Sequence, residues 1–99
     1  MDTRDVAIVR RYQTADFYGY EVVDSDLHRH VVEISSEVLN VEPKEFRRGT
    51  DQQHLDTVAC GAVLINLYPD TRYHRVDREM VDRAYRAAVR LQSFERLTA

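Results

Sequence analysis

The sequence predicts a mainly helical α+β fold, in which an N-terminal antiparallel β-hairpin is followed by three helices. Three observations predict it: two β-branched and aromatic segments near the N terminus, a helical apolar stripe that begins at Leu27, and two later helical segments with capping residues. The chain has 99 residues, 43% of them hydrophobic and 31% charged, as is typical of one globular domain. We therefore expect a single compact domain over residues 1–99.

The hairpin is predicted from residues 5–12 and 17–23. These segments read Asp-Val-Ala-Ile-Val-Arg-Arg-Tyr and Phe-Tyr-Gly-Tyr-Glu-Val-Val, and both are rich in residues that strands favour. Gly19 inside the second segment indicates a bulge or a close backbone approach. A helix over residues 4–13 is the alternative for the first segment, because some of its apolar residues would also share a helical face.

The first helix is predicted at about residues 25–41. Possible capping oxygens precede it, and a proline follows it. Apolar residues recur at steps of four and three, as on one face of a helix: Leu27, Val31, Ile34, Val38 and Val41. A strand over residues 28–34 is the alternative, and it would bring His28 and His30 to the same side. The five-position stripe favours the helix.

The second helix is predicted at about residues 51–68. It begins with a capping box, Thr50-Asp51-Gln52-Gln53, and is apolar nearly all round from Cys60 to Leu67. We therefore expect burial on more than one side, and the small side chains near Gly61 would let another helix come close. A buried strand over residues 57–68 is the alternative, which the cap and the length of the segment disfavour.

The third helix is predicted at about residues 77–96, because Asp77 can cap it and the segment is rich in good helix formers. Its apolar face consists of Met80, Ala84, Ala87, Ala88, Leu91 and Phe94.

Composition excludes several classes of protein. The formal net charge is −3, which argues against nonspecific binding of nucleic acid by bulk charge. Cys60 is the only cysteine, so it forms no intramolecular disulfide, and its apolar neighbours predict a buried thiol. The N terminus does not read as a signal peptide, and the longest apolar run is about half of what a membrane span needs. We expect a cytoplasmic protein that does not cross a membrane.

Catalytic motifs are weak in this sequence. Ser35 and Ser36 are expected in mid-helix and Cys60 in the core, and none of them has the setting of an activated nucleophile. The three glycines are isolated, so no phosphate-binding loop is predicted. We expect a protein that is not an enzyme and that uses no cofactor.

A metal-binding protein or a metal-dependent enzyme is the second alternative function. On the predicted first helix, His30, Glu33 and Glu37 would share one face and offer nitrogen and oxygen ligands to zinc or manganese. Surface helices often carry His and Glu together, so a solvated face is the simpler interpretation.

Residues 34–48 loosely resemble a helix-turn-helix, which makes a small DNA-binding transcriptional regulator the first alternative function. In that interpretation Lys44, Arg47 and Arg48 would contact DNA. Gly49 stands where the second helix needs an apolar anchor, and nearby glutamates oppose contact with phosphates. DNA is therefore not the favoured partner.

The leading hypothesis is a non-catalytic protein–protein interaction module: an adaptor, inhibitor or regulator that binds itself as a homodimer or binds another protein. An open strand edge, a helix with surplus apolar surface and six tyrosines favour it, since tyrosine is enriched at interfaces. The residues predicted at the interface are Tyr18, Tyr20, Tyr85 and Val89.

Overall fold

The computed structural model describes residues 6–36, 50–66 and 71–98. They form a four-stranded mixed sheet with one helix packed on one face and a second helix packed mainly against the first. The elements are β1 (Ala7–Gln13), β2 (Phe17–Val23), β3 (Arg29–Ser35), α1 (Thr50–Leu64), β4 (Tyr73–Val76) and α2 (Arg78–Thr98). The sheet order is β1-β2-β3-β4, with β1, β2 and β3 antiparallel and β4 parallel to β3. The connection that contains α1 supplies the crossover that a parallel pair requires.

The predicted fold class is therefore wrong: the described chain has a mixed sheet and two helices instead of a hairpin and three helices. The antiparallel pairing of β1 with β2 is present, so residues 7–13 form a strand and not the alternative helix. However, β2 is a central strand that pairs with both β1 and β3, and the sheet edges are β1 and β4. The open edge expected on the second strand does not exist.

The predicted helix at 25–41 is replaced by a turn and by β3, and residues 37–41 lie outside the described part. In β3 every second residue is buried, namely His30, Val32 and Ile34, which is the period of a strand. Leu27, the first residue of the supposed helical stripe, is 82% exposed and has a φ of 67°, so it lies in a turn. The described residues of the stripe, Leu27, Val31 and Ile34, therefore do not share a helical face.

The two later helices are present. α1 spans Thr50–Leu64, against the predicted 51–68, of which residues 67–68 lie outside the described part. α2 spans Arg78–Thr98, against the predicted 77–96. The Asp77 carboxylate accepts a hydrogen bond from the backbone N–H of Met80 at 3.1 Å, which confirms the cap. Among the described residues, neither helix combines the length and apolarity that crossing a membrane requires.

The core lies between the sheet and the helices, and α1 is in its centre. Its buried residues come from β2, β3 and β4 (Tyr18, Tyr20, Val22, Val32, Ile34, Val76), from α1 (Leu55, Val58, Ala59, Ala62, Val63) and from α2 (Ala84). Because α1 packs on both the sheet and α2, the apolar surface of this helix is covered within the chain itself.

The two helices come close enough for backbone contact at Gly61. A Cβ atom placed on Gly61 would lie 1.7 Å from the carbonyl oxygen of Ala84. The predicted close approach of a second helix is thus confirmed, and it depends on the absence of a side chain.

Candidate functional site

The sheet has one face under the helices and one face that points away from them. We call the second the open face, because neither described helix packs against it. Successive side chains of a strand point to opposite faces of the sheet. Every second residue of β2 and β3 is therefore buried under the helices, and the residues between them point to the open face. The open face carries Arg10, Tyr12, Phe17, Glu21, Arg29, Val31, Glu33, Tyr73 and Arg75. Tyr73 is 49% exposed.

Ion pairs order one end of the open face. Glu21 accepts a hydrogen bond from Arg10 Nη1 at 2.8 Å and one from Arg29 Nη1 at 2.7 Å. Both bonds lower the pKa of Glu21, and the bond from Arg10 has the larger effect. Both guanidinium groups are therefore held by one carboxylate, although their side chains are 60% and 63% exposed.

Aromatic rings order the rest of the open face. The Tyr12 ring lies against Gly19, where an added Cβ would be 2.3 Å from the ring, and the Arg10 guanidinium carbon lies 5.0 Å from the Tyr12 ring centroid. The guanidinium of Arg75 covers Phe17 in the same way, at 4.8 Å. Glycine at position 19 is therefore explained by a close approach, as the sequence indicated.

Tyr73 is fixed by a hydrogen bond to a neighbouring strand. Its hydroxyl donates to Glu33 on β3, and this bond is the main cause that raises the pKa of Tyr73. The half-exposed ring is thus held at the β4 edge of the open face.

A buried hydrogen-bonded chain of three titratable side chains lies on the opposite, helix-facing side of the sheet. His30 Nε2 is 2.8 Å from Asp24 Oδ2, and His30 Nδ1 is 3.0 Å from His74 Nε2. The exposed fractions are 7% for Asp24, 0% for His30 and 4% for His74. The chain joins the β2–β3 turn, β3 and β4.

Asp24 also organises the turn. Its Oδ1 accepts hydrogen bonds from the backbone N–H groups of Asp26 at 2.9 Å and of His28 at 3.0 Å. Burial favours the neutral acid, but the hydrogen bonds from His30 and from the two N–H groups outweigh it and lower the pKa of Asp24. The ionised carboxylate is therefore the form that the turn stabilises.

His74 is held in its neutral form by its surroundings. Burial is the largest cause, and the nearby charges of His30 and Arg72 add to it, so that the pKa of His74 falls to about 4.

Of the predicted metal ligands, the two that the structure describes, His30 and Glu33, are not brought together. His30 and Glu33 lie three residues apart on β3, so they point to opposite faces of the sheet, and Glu37 lies outside the described residues. The grouping was based on a helical spacing that the chain does not adopt.

The predicted interface residues separate into two pairs. Tyr18 and Tyr20 are fully buried in the core, and the Tyr20 hydroxyl donates to Asp56 on α1 at 2.6 Å. Tyr85 and Val89 are 37% and 38% exposed, one turn apart on α2. Only the second pair is available on the surface of the described chain.

The proposed DNA-contacting residues, Lys44, Arg47 and Arg48, lie outside the described part of the chain. The DNA-binding hypothesis stays a prediction.

Sequence reasoning missed both the open face and the Asp24–His30–His74 chain. The available signal was the alternation in Arg-His-Val-Val-Glu-Ile-Ser, which indicates a strand and was weighed only as an alternative. His30 and His74 are 44 residues apart, so their contact depends on the pairing of β3 with β4.

Comparison of this chain with protein-family models, with curated proteins and with solved structures found no match.

Proposed function

We propose that this protein is a non-catalytic, cytoplasmic protein-interaction module that binds an acidic segment of another protein on its open face. The observation that carries the proposal is an ordered surface of arginine and aromatic side chains on the side of the sheet away from the helices. Arginine and tyrosine are among the residue types in which the binding energy of protein interfaces is most often concentrated.

The order of the open face favours tight binding. Arg10 and Arg29 are fixed by Glu21, and Tyr73 is fixed by Glu33. Side chains that are already held in place lose less conformational entropy when a partner binds, so more of the contact energy appears as affinity.

The charges of the open face indicate the chemistry of the partner. The face carries three arginines (Arg10, Arg29 and Arg75) and two glutamates (Glu21 and Glu33), which leaves one net positive charge on a chain whose formal net charge is −3. An acidic segment complements this face, and its carboxylates can share the guanidinium donors that Glu21 does not use.

Protein fits this surface better than single-stranded nucleic acid does. Nucleic-acid platforms need free ring faces on which bases stack. The rings of Tyr12 and Phe17 instead each have a guanidinium group over them, and Arg10 and Arg29 share a single carboxylate, that of Glu21.

Peptides selected from a phage-displayed library against the whole chain are expected to be acidic and to bind through the open face. We expect Tyr73→Ala and Arg29→Ala each to weaken the binding of such a synthetic peptide at least about tenfold, the effect of losing a central interface residue. The dissociation constants are measured by fluorescence anisotropy.

Arg86→Ala is the matched control, because Arg86 is 70% exposed on α2 and pairs there with Asp82. It should leave the affinity unchanged. Equal affinity of the peptide for all three variants, or tighter binding of an oligothymidine than of the peptide with the same losses, would contradict the proposal.

Homodimerisation stays a prediction. Of the predicted interface residues, it now depends on Tyr85 and Val89 of α2. Light scattering measures it directly against the chain mass of 11.6 kDa.

A further inference from the structure

The Asp24–His30–His74 chain holds together parts of the fold that are distant in the sequence. Asp24 directly follows β2 and closes the turn into β3. His30 lies on β3, and His74 lies on β4, which leads directly into α2. The β3–β4 pairing is short, since β4 has four residues. The contact between the two histidines is one of the side-chain contacts that hold β4 on β3, and it is the buried polar one.

Two facing imidazole nitrogens form a hydrogen bond only when one carries a proton and the other has a free electron pair. When the pair is neutral and His30 donates from Nε2 to Asp24, His30 Nδ1 accepts from His74 Nε2. One added proton is tolerated, because the resulting cation keeps the bond and lies beside the Asp24 carboxylate. His30 Nδ1 and His74 Nε2 are 3.0 Å apart. A second added proton gives both of these nitrogens an N–H group and both rings a positive charge, so that the two rings repel each other.

The surroundings offer little compensation for that second charge. Arg72, just before β4, disfavours it, and His28 in the turn is also basic and lies 3.8 Å from Asp24 Oδ2. The buried residues of α1 and α2 in the described chain are apolar apart from Thr57 and the Cys60 thiol. Asp56 of α1 already binds Arg11 and Tyr20. Asp24 is thus the carboxylate of the described chain that faces the pair.

We propose that the His30–His74 pair is an acid-sensitive latch, which holds β4 on β3 at neutral pH and releases it in mildly acidic solution by taking up a second proton. Released histidines are free to take up protons with the ordinary pKa of about 6.5, whereas the closed pair holds only one. The lowered pKa of His74 agrees with this.

The direction of the pH dependence follows from proton binding. Between the ordinary histidine pKa and the lowered value of about 4, the open state binds more protons than the closed state. The closed state is therefore favoured above about pH 6.5 and loses stability as the pH falls toward 4. For a difference of one bound proton, the equilibrium constant for opening rises by up to about tenfold per pH unit.

A shared proton explains the pair better than a shared metal ion does. In the part of the chain described, the set of three His, Cys, Asp or Glu ligand atoms within 4.8 Å of one another is Asp24, Asp26 and His28, which does not include His74. The Asp24 oxygens already accept hydrogen bonds from His30 and from two backbone N–H groups, so we assign no metal there.

Amide hydrogen exchange of the whole chain, corrected for intrinsic rates, tests the latch. The reporter is the N–H of Val31, which bonds the carbonyl of Arg72 at 2.7 Å. We expect its protection to fall about tenfold per unit between pH 6 and pH 4.5, while amides of the β1–β2 pairing lose much less. Equal losses in both places, or no loss at Val31, would overturn the proposal.

His74→Gln separates the latch from other acid effects. Glutamine can still hydrogen-bond His30 but cannot take up a proton, so the steep pH dependence at Val31 is expected to disappear. His54→Gln, which removes a histidine whose ring centroid lies 5.0 Å from that of Tyr85, should leave this pH dependence intact. If His74→Gln does not fold, the exchange data of the unmodified chain still decide whether β4 is released in acid. Stoichiometric zinc binding that abolishes the pH dependence and is lost in His74→Gln would also overturn the latch.

Discussion

Replacing Gly61 by alanine is expected to destabilise the protein by about 2 kcal/mol or more, within the range of overpacked cores. In an isolated helix the same substitution has the opposite effect, because alanine stabilises a helix by about 1 kcal/mol relative to glycine. A Cβ at position 61 would lie 1.7 Å from the carbonyl oxygen and 2.5 Å from the carbonyl carbon of Ala84. Backbone atoms cannot rotate away as a side chain can, so α1 and α2 would have to separate.

Gly19→Ala is the matched control for Gly61→Ala. Its Cβ would meet the Tyr12 ring at 2.3 Å, but that ring lies on the open face and can swing into solvent. We expect a loss below about 1 kcal/mol. Urea denaturation at pH 7 measures both variants, and a Gly61→Ala variant as stable as the unmodified chain would show that the helices do not cross at this glycine.

The two helices were predictable because their signals are local. The Asp77 cap, the apolar run of α1 and the small residues around Gly61 are all contained in short stretches of sequence. Where the helices begin and which of their faces are buried follow from these residues through helix geometry alone. The apolar run of α1 was misinterpreted in one respect, because its apolar surface suggested an external partner. The sequence did not reveal β4. This strand leads the chain back, so that α2 covers α1.

The strands β3 and β4 were not predictable in the same way. Val31 and Ile34 fit a helical spacing, while His30, Val32 and Ile34 fit a strand; such a short run does not decide between the periods. What decides is pairing with β2 on one side and with β4 on the other, and the β4 partner comes from a distant part of the sequence. The open face and the histidine pair both depend on that pairing, so neither was accessible before the structure.

Asp24→Ala is expected to cost about 3 kcal/mol of stability at pH 7, since buried donors that lose their acceptor cost about 1–3 kcal/mol each. The change removes the acceptor of His30 Nε2 and of the N–H groups of Asp26 and His28. Because the pKa of Asp24 is lowered from 3.8, its contribution is present above about pH 4 and is lost below it. The difference from the unmodified chain should therefore shrink in acid.

Asp26→Ala is the control for this substitution, because Asp26 is exposed and contributes its backbone N–H to the turn. We expect a change within about 0.5 kcal/mol, as is usual for surface positions. Urea denaturation of both variants at pH 7 is the measurement. Equal losses for the two aspartates would mean that the Asp24 carboxylate does not organise the turn.

Asp24→Asn tests the proton arrangement separately from stability. The asparagine oxygen can still accept the two turn N–H groups, but its amide now presents N–H to His30 Nε2, which must become an acceptor. Neutral His30 is then expected to carry its proton on Nδ1 and to donate it to His74 Nε2, the reverse of the arrangement beside aspartate. Ring ¹⁵N chemical shifts at pH 8 distinguish the two tautomers. An Nε2 proton on His30 in both proteins would contradict the order of donors and acceptors on which the acid-sensitive latch depends.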